Sequence, residues 1–350
     1  MSRALKDGVH SLQTDTESKR LWNSYVDQSE TAGFYHRFEW KHINETEFGH
    51  ATHYLSAIRD GKVDGVLPMV EIRSRLFGHI LCSLPFVNYC GLSAPDSGAG
   101  TQLLESAYGI AKERNADYIE LRGLSVAHES LPLSQDKVSL TLDLASDPDD
   151  LWNGFKSKHR NNIRRVYKFG LEVRSGHLDL LDTFYDIMCE SWRSLGTPIY
   201  RKQYFRSILE SFGDRTKIFV VMADGKPVAT AFNGYDGDMV EGMWAGSLFK
   251  YRKLQSSYIL YWEMIKDACE RGCSGFHLGR SSVESGGEAF KSKWGAHSKQ
   301  LYWQYYLPQG GELPQLNVKN PKYALAIQAW RRLPLWATKI VGPRLAKNIP

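Results

Sequence analysis

The chain carries one stretch twice. Residues 48–62, FGHATHYLSAIRDGK, recur without a gap at 212–226, FGDRTKIFVVMADGK. Phe-Gly opens both copies, a threonine holds the same offset (Thr52, Thr216), and Asp-Gly-Lys closes both. Each copy is an apolar run delivered into a two-residue turn, because Asp-Gly supplies the positive φ that a tight hairpin needs. A lone Asp-Gly-Lys means little, and the surroundings make this one a repeat. Arg37 and Trp40 align with Arg201 and Tyr204, and YIELRG at 118–123 resembles FHLGRS at 276–281. A chain built this way folds as two similar units, and its chemistry belongs where the copies differ.

At 350 residues both units can bury a core, and 42% apolar, 12% aromatic and 24% charged residues suit a soluble globular protein. No apolar run reaches membrane-span length, and the polar start MSRALKDGVHSLQTDTESKR has no secretory signal character, so a cytoplasmic protein is expected. The five cysteines are scattered, which points to reduced buried thiols, and no metal-ligand spacing is present. Each half reads as helix, antiparallel strands, loop, helix, strand, an α/β (α+β) plan with a mostly antiparallel mixed sheet flanked by helices. The expected boundaries are a flexible tail at 1–20, a first domain at 21–146, a second at 147–310, and an amphipathic helical tail at 311–350. Helices are expected at 27–49, from 101 to 115, and at 149–170, 178–195, 201–212 and 256–271. Strands are expected at 53–59, 63–73, 79–84, 117–122 and 131–144 in the first half. The second half offers strands at 217–223, 228–235, 239–245 and 276–279, with a strand pair in KQLYWQYYL. This order fits an acetyltransferase (GNAT) type of fold and does not fit a doubly wound Rossmann sheet.

Four stretches can carry chemistry. At 250–257, KYRKLQSS, a basic loop enters a helix, and a helix N-terminus favours anions. Arg252, Lys253, Ser256 and Ser257 are therefore candidate donor-phosphate ligands, although the loop lacks the glycines of a tight pyrophosphate cradle. The first-half counterpart at 97–101, SGAGT, has the glycines and no basic side chain. At 152–169 a basic run places Arg160, Arg164 and Arg165 opposite an apolar stripe, as phosphate contacts or as a solvated face. At 276–295, FHLGRSSVESGGEAFKSKWG, a strand ends at Gly279-Arg280 before a loop with Glu284 and Glu288. Acyl transfer needs a base for the acceptor proton and a donor to the carbonyl oxygen. Trp244, Arg280, Glu284 and Glu288 are the candidate reaction centre. Tyr200, Arg201, Lys291, Lys293 and Trp294 are candidates for the acceptor cleft. The end of the chain, 318–350, mixes aromatics with arginine and lysine and has no acid, which suits either peripheral contact with anionic lipid or packing on the domains. No Walker loop, nucleophile elbow or dinucleotide fingerprint is present.

FYHRFEWKHINETEFGH, GVLPMVEIRSRLFGHILCSLPF, SLGTPIYRKQYF, YWEMIKDACERG, FHLGRS, FKSKWG and NPKYALAIQAWRRLP together resemble the FemAB-like proteins, and more narrowly the branch associated with exopolysaccharide and exosortase (PEP-CTERM) loci. The resemblance spans nearly the whole chain past residue 30. It implies two tandem GNAT-like domains in a bacterial cytoplasmic protein, peripheral at the inner membrane if the tail binds lipid. It also implies an N- or O-acyl or aminoacyl transferase acting on a cell-envelope or exopolysaccharide precursor. The co-substrate would be acyl-CoA or aminoacyl-tRNA, with no permanently bound cofactor. The acceptor would be an anionic sugar-nucleotide, lipid-linked or polysaccharide precursor, and DNA is not an expected partner. Two features depart from the pattern: no coiled-coil arm is seen, and His277 stands where relatives commonly carry the acid of FDFGRS. The competing reading is a degenerate GNAT pair serving as a non-catalytic scaffold on a polysaccharide-synthesis complex.

Overall fold

The protein is described by a computed structural model covering residues 6–75, 77–95, 97–314 and 321–349. Along the chain the elements are β1 (Gly8–Leu12), α1 (Thr16–Gln28), α2 (Glu39–Phe48), β2 (Ala51–Arg59), β3 (Lys62–Ser74), β4 (Gly78–Cys82), α3 (Ser97–Arg114), β5 (Tyr118–Gly123), β6 (Leu133–Ser134) and β7 (Lys137–Asp143). Then follow α4 (Pro148–Gly154), α5 (Ser157–Tyr167), β8 (Glu172–Gly176), α6 (Leu181–Leu195), α7 (Lys202–Phe212), β9 (Thr216–Ala223), β10 (Lys226–Asp236), β11 (Met239–Ser247), α8 (Ser257–Glu270), β12 (Gly275–Ser282), α9 (Gly286–Ser292), β13 (His297–Gln300), β14 (Tyr302–Tyr306), α10 (Pro321–Arg332) and α11 (Leu335–Ala346).

Two compact units result, each with a seven-stranded sheet, ordered β1-β2-β3-β4-β5-β14-β6 in one and β8-β9-β10-β11-β12-β7-β13 in the other. The repeated stretch forms the central hairpin of each. Asp60-Gly61 and Asp224-Gly225 all have positive φ, from 48° to 72°, which is the turn geometry that matches strand twist. Alternation along β2 sets the layers of the first unit. Tyr54 faces Trp22, Val26 and Phe38, while Leu55 faces the other side with Leu67, Leu81, Ile119 and the small residues Ala99, Ala107 and Ala111 of α3. In the second unit α7 buries Tyr204, Phe205, Ile208, Leu209 and Phe212, the stripe of a helix lying on a sheet.

Four expectations change. The N-terminal segment is not a loose tail over 1–20, because residues 8–12 are an edge strand in register with β2 (Gly8 opposite Ile58, Leu12 opposite Tyr54); residues 1–5 lie outside the described ones. The helix expected over 27–49 is confined to α2, preceded by a short 3-10 turn at Phe34–His36, and a helix not expected, α1, occupies Thr16–Gln28. The helix expected over 149–170 is also two, because Phe155 and Lys156 adopt extended backbone between α4 and α5. The domains are not contiguous either. One unit comprises Met1–Val138, Gln300–Pro314 and Asn348–Pro350, the other Ser139–Lys299 and Gln315–Lys347. The strand after the first repeat, β7, enters the second sheet, and β14 enters the first. All five cysteines are buried and unbridged, as reduced thiols are expected to be.

One polar node lies within the first unit. Glu71 of β3 is 4% exposed, with His53 Nε2 at 3.0 Å, Arg73 Nε at 2.7 Å, His79 Nε2 at 2.8 Å and Arg114 Nε at 3.3 Å. Burial opposes its charge, but the hydrogen bonds from His53, Arg73 and His79 and the Arg114 charge outweigh it and pull the carboxyl down to about 2. A depressed carboxyl contributes stability above its unfolded value of 4.5 and loses it as pH falls toward about 2. Glu71→Gln should therefore lower stability by about 2 kcal/mol at neutral pH. Denaturant melts should show that deficit shrinking between about pH 4.5 and pH 2; a constant deficit would refute the assignment.

Candidate functional site

The second sheet opens at one point. β11 runs parallel to β12 for three residue pairs, Met239–Gly275, Val240–Phe276 and Glu241–His277, and the ladder then ends. On β11 the cause is a bulge: Phe232 of β10 faces Trp244 and Asn233 faces Gly242, so Met243 is the extra residue that bends the strand. On β12 the cause is Gly279, whose φ of +82° no side-chain-bearing residue adopts without strain. Gly242 is the last close approach, since a Cβ there would lie 3.0 Å from the His277 carbonyl oxygen. Beyond it Trp244 and Arg280 sit on opposite arms, each three residues past the final pair.

The first unit has the same three-pair ladder, Ile80–Tyr118, Leu81–Ile119 and Cys82–Glu120. There the opening is filled by the chain itself. Ser83 N–H donates to the Glu120 carbonyl at 2.9 Å, and Cys90 returns to donate to the Arg122 carbonyl at 2.8 Å. The Ser83 hydroxyl accepts from Arg122 N–H at 2.8 Å and donates to the Cys90 carbonyl. The glycines at 97–101 fall in the first turn of α3, where Gly100 packs on Leu92.

At the second opening the structure gathers some of the expected residues. Lys291 of α9 is 9% exposed, and its Nζ donates to the carbonyls of Gly279 at 2.9 Å and Arg280 at 3.0 Å. Burial, and then the Arg280 charge, push its ammonium down to about 8. Trp244 is half-buried against Tyr204, Phe205 and Phe232, and Tyr200 joins the same rings through Tyr204 and Phe205. Arg201 is exposed at the start of α7.

Others have architectural work. The Glu288 carboxylate accepts from Glu284 N–H at 2.6 Å while Ser285 Oγ caps the Glu288 N–H, so both glutamates shape the turn into α9; Glu284 itself is exposed. Trp294 is 1% exposed and packs with Phe155, His159, Tyr258, Tyr261 and Phe290, which anchors the Lys291-bearing segment to α5 and α8 rather than lining a cleft. Lys293 is exposed, and its charge joins burial in lowering His159 to about 4. His277 is likewise lowered to about 4, by burial and then by Lys299 and His297, and its Nδ1 lies 3.2 Å from the Thr141 hydroxyl of β7.

The basic residues divide. Arg165 donates to the Gln255 side chain at the entrance to α8, whereas Arg164 lies over Trp152 at 5.2 Å and Arg160 donates to the Asn153 carbonyl at 3.3 Å. Arg252 covers the exposed Phe249 ring at 4.3 Å, and Lys253 is exposed. Neither Ser256 nor Ser257 caps α8; Ser256 is buried with helical backbone, and Gln255 holds the left-handed conformation (φ 51°) usually given to glycine. Sequence reasoning missed Met243, Gly279 as a kink, and Gln255. A bulge has no residue signature, while Gly279 was visible as a glycine inside a strand pattern.

Residues 154–292 match the family described as Acetyltransferase (GNAT) domain, so the second unit contains an acyltransferase domain of that class. No curated protein sequence matches the chain. Among solved structures it is similar to FemX, at 16% identity over 91% of this chain and 100% of that one, with a TM-score of 0.69. It is also similar to a tandem GNAT protein from the clavulanic acid biosynthesis pathway (11%, 87% and 99%, 0.55) and to L-PGS from Bacillus licheniformis (11%, 89% and 96%, 0.53). At such identities these likenesses show the fold: two tandem GNAT-like domains.

If the Lys291 ammonium faces developing charge in this opening, activity should fall as pH rises through about 8, where that ammonium is lost. Lys291→Met should lower kcat by about 10²–10³. Lys291→Arg should keep part of the rate and lose the limb near pH 8. An unchanged pH profile in the arginine variant would remove Lys291 from the chemistry.

Proposed function

We propose that the protein transfers an acyl or aminoacyl group to an amine or hydroxyl of a cell-envelope or exopolysaccharide precursor, with the donor bound between β11 and β12. The observation that carries this reading is the asymmetry of the two openings. In the first unit Ser83 and Cys90 close the ladder end, whereas in the second Met243 and Gly279 part the strands beside a buried ammonium. Non-catalytic scaffolding would not need a lysine held out of water at that position.

The chemistry follows from the geometry. The acceptor nitrogen or oxygen attacks the donor carbonyl carbon, and the carbonyl oxygen gains negative charge. Lys291 spends two ammonium hydrogens on the Gly279 and Arg280 carbonyls and has a third for that oxygen. Trp244 bounds the facing arm. The carbon–leaving-group bond then breaks, and the departing thiolate or alkoxide takes the proton released by the acceptor. Arg165, Arg252, Lys253 and the N-terminus of α8 hold the phosphates of the donor. Gln255 stands where a glycine cradle would offer close-set backbone N–H groups to a pyrophosphate, which counts against coenzyme A as the donor. The resemblance to FemAB-like proteins supports an envelope or polysaccharide precursor as acceptor, with Tyr200 and Arg201 beside its path.

Calorimetric titration of the purified protein with acetyl-CoA, a long-chain acyl-CoA, an aminoacyl-tRNA and a nucleotide-linked sugar tests the reading. At least one donor should bind, and Arg165→Glu should weaken it about tenfold through the loss of one phosphate contact. Failure of every donor and of the sugar nucleotide to bind would leave the scaffold reading in its place.

A further inference from the structure

The C-terminal helices belong to the second unit, where both sit on α6. Gly342 meets the Ile199 backbone, where a Cβ would lie 3.2 Å away, and Gly196 receives Ile327 of α10. Trp330, Thr338 and Ala346 are buried on this inner side, so the helices already have their packing partner. Their outer side is nevertheless apolar. Leu325 is 78% exposed, Trp336 68% and Ile340 54%, the last two one turn apart on α11. Leu195, at the end of α6, is 62% exposed beside the Arg331 guanidinium, which donates to its carbonyl at 3.2 Å.

The charge around this apolar side has one sign. Residues 321–349 contain no aspartate or glutamate, while Arg331, Arg332 and Arg344 are exposed among the apolar groups. On α6 two acids are already committed: Asp186 pairs with Lys339 of α11 at 2.6 Å, and Glu190 pairs with Lys250 of the loop before α8 at 3.7 Å. These two acids lie one turn apart on α6. They therefore bring α11 and the loop before α8 to the same side of that helix, and the loop adds Phe249, 65% exposed, with Arg252 and Lys253.

We propose that this surface, the outer side of α10 and α11 together with the Phe249 loop, docks the protein on a bilayer rich in anionic phospholipid. Tryptophan and aliphatic side chains enter the headgroup boundary, and arginines snorkel to the phosphates. An acidic protein partner would satisfy the charge, but acid-free helices whose inner side is already packed fit a planar anionic surface better. The consequence that the loop and the donor entrance lie at the membrane, next to a lipid-linked acceptor, rests on the function proposed above; the docking does not.

Flotation of the full chain with phosphatidylcholine vesicles, with and without phosphatidylglycerol, tests the proposal. The protein should float with the anionic vesicles alone and be released by high salt. Trp336→Ser with Ile340→Ser should cut the vesicle-bound fraction at least tenfold, and Arg332→Glu roughly fivefold or more, with thermal midpoints unchanged because none of the three side chains is buried. Equal flotation on neutral vesicles, or full binding by the outer-face variants, would overturn it. Absent vesicle binding, together with a change of oligomeric state in the Trp336→Ser, Ile340→Ser variant, would overturn it too and make the face a contact between copies. Since no donor or acceptor is present, a negative result here leaves the transferase reading standing, and failed donor binding leaves the docking standing.

Discussion

A parallel strand pair that stops after three residues leaves backbone polar groups that must be satisfied some other way, and both sheets are built around that demand. The first unit meets it with its own chain. The segment after β4 loops out and returns as Cys90, and Glu120 and Arg122 form a buried ion pair with the guanidinium 4.5 Å from the Trp303 ring centroid. Removing one member of such a pair costs about 3–5 kcal/mol, because the survivor is a buried charge without its counterion. This end of the first sheet is therefore closed and expensive to open. The second unit spreads its strands instead, through one inserted residue and one left-handed glycine.

The exchange of β7 and β14 follows from the same geometry. Each sheet places its borrowed strand directly beside the strand that follows the crossing helix, β14 against β5 and β7 against β12. Tyr302–Gly123 through Tyr306–Ile119 form five residue pairs, extending the sheet on the side away from the opening. These pairings join residues far apart in sequence, so loop-closure entropy must be overcome before they contribute. Neither sheet is complete until a strand from outside its own repeat has arrived, which is why a cut between repeats at 146 does not isolate a unit.

Much of this was legible in the residues because it is local. Asp-Gly turns impose positive φ, apolar periodicity assigns α6 and α7, and the copy of the hairpin announces two units. Three things were not legible, each for a physical reason. Strand exchange is decided by which sheet edge is free, and no residue type in KVSLTLD or YWQYY records that. The split between α4 and α5 is a matter of backbone direction at Phe155 and Lys156, residues that helices also use. Residues 8–12 read as tail because GVHSL is short and carries only two large apolar residues; pairing with β2 brings Leu12 into the Trp22 core and Val9 onto the α3 side. At the site, residue types were read better than roles. Lys291 bonds the carbonyls of Gly279 and Arg280, Trp244 lies on the facing arm against Tyr204, Phe205 and Phe232, and Glu288 and Trp294 hold α9 in place.

Lys291 is the hardest residue to explain by stability alone. Burial lowers its ammonium from 10.5 to about 8, so the folded state holds the charge at a cost through the neutral range, and two carbonyl hydrogen bonds do not restore the ordinary value. A methionine of similar length would fill the space without that cost. Glu71 shows the opposite case, a buried charge that four neighbours pull to about 2 and so hold ionised at a gain. One unit thus contains a charge its surroundings stabilise, and the other a charge its surroundings strain. Strain of that kind persists where something outside the free protein relieves it, and an acyl oxygen gaining negative charge at the end of β12 would do so.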